Sequence, residues 1–589
     1  MLLGANAGAV GGEDAAKRPS RPSPTSTPIA NEEKAIVQEF LSLVEKSQQF
    51  FSGLRDLPAY GREWQTYFTK TFEVFTKLWR FQQEKRKVLE NKENYGLKRW
   101  EVGDIASKIG QLYYHYYLRT SETNYLQESF VFYNAIRSRL YFKDISKAKS
   151  VILVVKKLRY FARFIMVCLL LDKTSVVEEL LSELSDSIAE YEKEFDGSDA
   201  PEWKQVVGEI RDFLKEKDPM SVDDEKLVEK WMLGKRGIPL EDKHNYLIPR
   251  PASAGDAEKE KGAGEKEKVV ETQFYLSEAI VVGHRDNQLK FSEITLDMYR
   301  FMLTVEREVG GDQVAAGAPV ERAQPRKHLL YKPSVSSILV GLASLVRDIG
   351  VDGVRQGAIL CYLSADEADS APSEDDPAKS KPWSSIGAVR MSKSQEPLPI
   401  LYPEDLLPFT RRPFLCIVDT DNARAFARMT PVFSAPVLFL LSGRQPASDS
   451  LPSRDAKGSL LTHFLHSPIA AMCQLAGISS VGGKDMATCI ERLKRLVQDI
   501  DEAVSQMDIP PAFSLFWKRD MFARLILSRF LMYCGAMQMF EGAKNLKNFE
   551  LPSTHPSLPP SIYTDGGVFK CVSQVTTLLN VSEKFAMRE

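Results

Sequence analysis

The sequence predicts two fold types in one chain: an α-helical N-terminal domain over 34–235 and an α/β domain over 271–589 with a mostly parallel sheet and a helical C-terminal part. Three observations carry this. Every periodic segment before 235 repeats its apolar residues at helical spacing. Beyond 271 the pattern changes to short, continuous apolar runs alternating with helical segments, the pattern of strands buried on both faces of a parallel sheet. Between them, 236–270 contains Arg250-Pro-Ala-Ser-Ala-Gly-Asp-Ala-Glu-Lys-Glu-Lys-Gly262, too poor in apolar residues to fold, and reads as a flexible linker.

The first element follows a Gly-, Ala-, Ser- and Pro-rich segment, 1–33, that reads as disordered and has no secretory h-region. A helix is expected at 36–54, closed by Gly53 and Pro58. The next, 62–90, carries Trp64, Phe68, Phe72, Phe75 and Trp79 at steps of three and four, on one face. From Tyr60 to Phe142 there are 20 aromatics in 83 positions, against 10% aromatic content overall. Such a seam anchors either a large helical core or a partner groove. The helix at 100–118 places Gly103, Ala106 and Gly110 beside its apolar stripe, where a neighbouring helix can approach closely. The following helix carries Leu126, Phe130, Tyr133, Ile136 and Leu140. The pair resembles a tetratricopeptide unit, with Ile109-Gly110-x-x-Tyr113 at the signature position, but no second copy is visible.

Two helices of complementary charge come next. One faces the core with Val151, Val155, Leu158, Ala162, Ile165 and Leu169 and carries Lys156, Arg159 and Arg163 as an edge stripe. The other presents Glu178, Glu179, Glu183, Asp186 and Glu190. The stripe is read as meeting this acidic helix or water, with an acidic partner as the alternative. The four cations within 151–171 rule that run out as a membrane span.

In the α/β part, strands are expected at 273–282, 358–363, 414–419 and 436–441, and helices at 293–307, 334–349, 459–475, 484–506 and 515–542. The inserts 308–326, 364–397 and 443–458 read as mobile surface loops.

Composition narrows the function classes. With 77 basic and 79 acidic residues the net charge is −2, which gives no field for nucleic acid, and no reader motif is present. Seven scattered cysteines without a CxxC pair suit buried, reduced thiols. The best catalytic candidate is Phe414-Leu-Cys-Ile-Val-Asp419-Thr-Asp421-Asn422. An apolar strand ending in Asp-x-Asp resembles the first motif of haloacid-dehalogenase-type phosphatases, and Val437-Leu-Phe-Leu-Leu-Ser442 resembles the second. Asn422-Ala423 replaces the usual Gly-Thr, and no later paired acids complete a magnesium site. The competing reading makes Asp421 or Asn422 a helix N-cap. Gly477-Ile-Ser-Ser-Val-Gly482-Gly483-Lys484-Asp485 fails the phosphate-loop spacing, and His463-x-x-His466 lacks a third ligand. Lys85-Arg86-Lys87 and Lys17-Arg18 are candidate import signals.

Gly53-Leu-Arg-Asp-Leu-Pro-Ala-Tyr-Gly61, Phe72-Glu-Val-Phe-Thr-Lys-Leu-Trp-Arg-Phe-Gln-Gln83, Tyr95-Gly-Leu-Lys-Arg-Trp100 and Ile105-Ala-Ser-Lys-Ile-Gly-Gln-Leu-Tyr-Tyr-His-Tyr-Tyr-Leu-Arg-Thr-Ser-Glu-Thr123 resemble the SCAI family, suppressors of cancer cell invasion. Val155-Lys-Lys-Leu-Arg-Tyr-Phe-Ala-Arg-Phe-Ile165 resembles it too. The likeness is specific over about 35–195 and thinner in the α/β half, where Ile417-Val-Asp-Thr-Asp-Asn422 carries it. It implies a nuclear, non-enzymatic transcriptional cofactor of corepressor type. In animals such proteins repress the myocardin-related coactivator of serum response factor, and are also linked to double-strand-break repair. It implies transcription factors or coactivators as partners and offers no catalytic residues; from the residues themselves no cofactor, metal or membrane span is expected, and the expected location is the nucleus with the cytoplasm as a second compartment. The rival is a divergent phosphoryl-transfer enzyme using Asp419 and Asp421.

Overall fold

The structure is a computed structural model that describes residues 28–58, 63–120, 122–143, 145, 150–195, 197, 199–217, 221–222, 273–305, 326–349, 351–352, 355–367, 389–390, 400–544 and 546–586. The expected linker, the Lys17-Arg18 pair and most of the inserts 308–326 and 364–397 lie outside these residues. The chain divides into two compact units, Met1–Ile210 and Arg211–Glu589.

The first unit is helical: α1 (Pro28–Gly53), α2 (Glu63–Glu84), a short α3 (Arg86–Glu90), α4 (Arg99–Thr120), α5 (Thr123–Ser138), α6 (Val151–Leu170), α7 (Thr174–Phe195) and the start of α8 (Ala200–Lys217). The expected single helix at 62–90 breaks at Lys85. The aromatic seam of α2 packs inward: Trp64, Phe68 and Phe75 are buried, and Phe72 and Trp79 half-buried. Tyr116 of α4 receives the rings of Trp64, Phe68 and Phe72 at 5.7, 5.4 and 5.5 Å, and Tyr125 of α5 at 4.5 Å. Three of these four pairs are edge-on to within 20° of perpendicular, the geometry that aligns ring edges with π faces. The Arg119 guanidinium covers Trp64 at 5.3 Å and donates to the Pro58 carbonyl at 2.7 Å, tying the end of α4 to the segment after α1. The seam is core.

The small residues of α4 act as read from the sequence. A Cβ on Gly110 would stand 3.1 Å from the Tyr133 ring, and Ser129 of α5 donates to the Gly110 carbonyl at 2.7 Å. On α6, two expectations fail. Val151, assigned to the core, is 45% exposed. The acids of α7 are met by Arg137 of α5, at 2.8 Å to Glu179 and 2.6 Å to Glu183, whereas Lys156 of the α6 stripe pairs with Asp104 of α4 at 3.1 Å. The stripe therefore lies along α4, not along α7.

The second unit is built on a sheet of β1 (Gln273–His284), β2 (Arg326–Tyr331), β3 (Arg355–Glu367), β4 (Phe414–Asp419), β5 (Val437–Leu441) and β6 (Ser553–His555). Their order is β6-β5-β4-β3-β1-β2, parallel except for the last strand, β6, which pairs antiparallel on β5. β2 and β6 were not read from sequence: β2 follows an insert, and β6 is three residues flanked by prolines. All of β4 and β5 is buried, because helices cover both faces. One face packs Ile280, Val282, Cys361, Cys416 and Phe439 under α10 (Val335–Asp348) and the 3-10 segments Pro403–Arg411 and Ala423–Arg428. On the other, Phe301 of α9 (Leu296–Thr304) stacks on Tyr362 at 4.4 Å.

Beyond β5 the chain is mainly helical, with α11 (Leu460–His466), α12 (Pro468–Ala476), α13 (Gly483–Gln506), α14 (Pro511–Arg519), α15 (Met521–Met539) and α16 (Val568–Leu578). The expected helix at 459–475 splits at Ser467 because Pro468 has no N–H to continue the ladder. That at 515–542 splits at Asp520, which caps α15 by accepting from Ala523 N at 2.9 Å and also accepts from Leu276 N of β1 at 2.9 Å. All seven cysteines are buried free thiols. No helix among the described residues is long and apolar enough to cross a membrane.

Phe68→Ala should lower the free energy of urea unfolding by about 3–5 kcal/mol, against under about 0.5 kcal/mol for Val131→Ala on the exposed side of α5. His115 of α4 is pushed down to about 4 by burial and by Arg163, Arg119 and Arg55. A lowered pKa gives stability that is full above the unfolded value near 6.5 and is lost as pH falls toward 4. Unfolding at pH 7 and pH 5 should therefore differ by about 1–2 kcal/mol more in the wild type than in His115→Gln.

Candidate functional site

The sheet order reverses between β1 and β3, and in open parallel sheets ligands bind beyond the carboxyl ends of the strands at such a point. Here the strand ends deliver His284-Arg285-Asp286 from β1, Ser364 to Glu367 from β3, Asp419-Thr420-Asp421 from β4 and Ser442 from β5. The structure joins most of them in one buried ionic network.

Asp419 is fully buried. Its Oδ1 accepts from the Arg454 guanidinium and from Ser459 Oγ at 2.9 Å, and its Oδ2 accepts from Tyr362 Oη at 3.0 Å. Asp421 bridges two arginines, with Oδ1 3.0 Å from Arg454 and Oδ2 3.0 Å from Arg285. Arg285 continues to Asp366 at 3.6 Å, and Asp286, whose amide donates to Asp366, pairs with Lys332 at 3.2 Å. Deeper in the site, Asp297 of α9 accepts from the Ser459 amide at 2.9 Å, from Thr462 Oγ1 and from Gln288. Burial pushes the Asp419 carboxyl up and Arg454 pulls it back down; burial acts to lower Arg454, and Asp419 and Asp421 together more than offset it and raise it. Direct contact makes the pair ionised: two charges out of water persist only when matched this closely.

The residues that complete this network were missed in the sequence. Arg454 falls in the insert 443–458, read there as a mobile surface loop. That reading is corrected: Arg444 and Glu550 exchange backbone hydrogen bonds at 3.1 Å, Leu451 is buried, and a turn at Arg454–Lys457, capped by Ser453, aims Arg454 inward. Its Pro and Ser content mimics a loop because the segment is held by side-chain charge rather than by an apolar stripe. Asp297 and Arg300 had a legible signal, being charges on a helix whose every residue is buried. Gly458 is required by the geometry: its φ is +75°, and a Cβ would stand 2.7 Å from Arg300 Nη1 and 2.8 Å from Asp297 Oδ1.

Most of the other candidates have structural roles. Asn422 precedes the 3-10 turn Ala423–Arg428 without a side-chain capping bond, and Asp421 is committed to its arginines, so the N-cap reading fails. Ser442 donates to the Thr420 carbonyl at 2.9 Å and its own carbonyl accepts from Tyr533 at 2.8 Å. His463 and His466 are buried at the end of α11, with His463 Nδ1 on Gln474. Gly477 is the left-handed cap of α12 and Gly482 the N-cap of α13. Lys85-Arg86-Lys87 is exposed, with Arg86 paired to Glu90 at 2.7 Å. Among the described residues no three His, Cys, Asp or Glu side chains converge as a metal site requires. A phosphoryl-transfer aspartate needs a free oxygen facing substrate, and both Asp419 oxygens are occupied by the protein's own donors.

The comparisons extend the resemblance to most of the chain, both units included. The family model described as Protein SCAI matches residues 42–543, spanning both units. The chain belongs to the SCAI family. Protein SCAI of Homo sapiens is 39% identical over 558 residues, covering 90% of this chain and 86% of the relative, and that of Mus musculus is 38% identical with the same coverage. The Protein SCAI homolog of Dictyostelium discoideum is 30% identical over 95% of this chain and 92% of its own length. The α/β half, where the sequence likeness was thin, thus belongs to the family's shared architecture.

Gly458→Ala should cost about 1–3 kcal/mol in unfolding free energy, because the backbone is left-handed and the added methyl meets Arg300 and Asp297. Gly208→Ala, on a helix with nothing within 4 Å of the new methyl, should be neutral or stabilising by up to about 1 kcal/mol. Denaturant melts of the two variants check both signs.

Proposed function

We propose that the chain is a nuclear, non-catalytic adaptor: a transcriptional cofactor of corepressor type that binds transcription-regulatory proteins. Family membership over 42–543 is the observation that carries this reading. The architecture supports it. The aromatic seam is used in internal packing, the Asp419–Asp421 pair with a catalytic look is neutralised by Arg285 and Arg454, and the thiols are buried. What remains for function is surface, and a surface acts by holding other macromolecules. The partners that fit the reading are transcription factors or their coactivators.

Affinity capture of the tagged full chain from nuclear extract, read by mass spectrometry, tests this. The expected result is specific recovery of transcription regulators, equally with wild type and with any Asp419→Asn protein that remains folded. Recovery of no specific partner, together with magnesium-dependent hydrolysis of p-nitrophenyl phosphate that Asp419→Asn abolishes, would overturn it. Repair proteins recovered in place of transcription regulators would move the adaptor to double-strand-break repair.

A further inference from the structure

At the amino ends of β4 and β5, opposite the ionic network, the second unit carries an exposed apolar segment that the fold holds in place. Between the 3-10 turn Ala423–Arg428 and β5, the residues Thr430-Pro-Val-Phe-Ser434 are all exposed, Val432 at 73% and Phe433 at 43%. Both ends of the segment are pinned. Met429 is buried, and its carbonyl accepts from His555 Nε2 of β6 at 2.7 Å. The Pro436 carbonyl accepts from Phe414 N at 3.0 Å, and the Pro413 carbonyl from Ile359 N of β3 at 2.9 Å. The chain entering β4 and the chain entering β5 therefore meet the sheet side by side. There the Arg411 guanidinium lies over the Phe433 ring at 5.8 Å. Pro431 restricts the backbone between the two anchors. The exposed Arg428 is at most about 14 Å of chain from Val432.

Single exposed apolar side chains are ordinary on a protein surface. These two differ in what surrounds them. From Pro403 to Pro436 the chain contains four arginines and no lysine, and arginine beside aromatic rings is the composition of binding patches rather than of plain solvated surface. The acids of the same stretch are elsewhere: Asp419 and Asp421 belong to the buried network, Asp405 accepts from Tyr402 N at 2.9 Å, and Glu404 stands at the other end of the segment Pro403–Arg411. Arg424 has Glu550 at 3.8 Å, whereas Arg411, Arg412 and Arg428 have no carboxylate partner among the described residues. We propose that Val432 and Phe433, with Arg411 and Arg428 beside them, form a docking surface for an acidic segment of a partner protein that carries aliphatic or aromatic side chains among its carboxylates. The apolar pair takes the partner's apolar groups, and the exposed guanidinium forks take its carboxylates. The cations sit on two separate stretches of chain, which suits carboxylates spaced along a segment. Two apolar side chains fall far short of the roughly 800 Å² per partner that a stable dimer buries, so a short segment fits better than a second copy of the chain. The surface rests on the adaptor reading and gives it a binding face. Purified components test it, so its failure alone leaves the nuclear capture result intact, and failure of that capture strikes the adaptor reading itself.

The experiment pans a phage-displayed library of random peptides on the immobilised full chain, then titrates the recovered peptides, synthesised with a fluorophore, by anisotropy. The expected result is recovery of peptides in which Asp or Glu alternates with Leu, Ile, Phe or Trp, bound less tightly as salt is raised. Val432→Asp and Arg428→Glu, both at exposed positions that the fold does not use, should each weaken binding about tenfold or more. Arg411→Lys should weaken it less than Arg411→Gln. Ile152→Asp, at an equally exposed apolar residue of α6, should leave it unchanged. Circular dichroism verifies each variant. Recovery of no peptide, recovery of peptides without acids, or affinity unchanged by Val432→Asp would each overturn the proposal. So would Phe433-dependent binding to vesicles of anionic phospholipid, or Phe433-dependent self-association in the ultracentrifuge, in place of peptide binding.

Discussion

The contact between Asp419 and Arg454 organises the second unit. A carboxylate at the end of a central parallel strand is buried by the helices that cover the sheet, so it must be neutralised from within. Arg454 does this from a segment with no regular structure longer than one turn. Once placed, it reaches Asp421, and through Arg285 and Asp366 the network crosses the switch point between β1 and β3. Ser459, at the start of α11, serves both Asp419 and Asp297. The network therefore links the sheet to the α9 and α11 layer at the place where related architectures bind ligand. Breaking one buried partner costs about 3–5 kcal/mol, a large share of a domain's net stability, though the intact pair adds far less.

The first unit solves the opposite problem. Its core is secured by rings and by close helix approach at Gly110, with Arg119 lying on ring faces, where a weakly hydrated guanidinium is stabilised without a carboxylate. Around Asp419 and Asp421 of the second unit, by contrast, charge is matched group for group.

Much of the fold was legible because it rests on local periodicity. The α2 seam, the small residues of α4, and the all-apolar β4 and β5 each have one dominant apolar pattern, and each forms the expected element. The misses share a cause: their positions are decided by partners distant in sequence. β2 and β6 are short and gain their place from sheet pairing. Arg454 looks like loop and is placed by Asp419, 35 residues away. The α6 stripe was assigned to the acidic helix next in sequence, yet Arg137 had claimed those acids from α5. The Asp-x-Asp motif was visible, but its environment was not. A motif names residue types, and only the fold says whether their oxygens are free.

The central claim is that Asp419 is a structural charge. Equilibrium unfolding of Asp419→Asn and of Asp419→Asn with Arg454→Met tests it most directly. The account predicts that the single change lowers stability by about 3 kcal/mol and that the second change recovers most of the loss, because it removes the uncompensated guanidinium. Stability unchanged by Asp419→Asn, with no coupling between the two positions, would contradict it and leave the carboxylate free for chemistry.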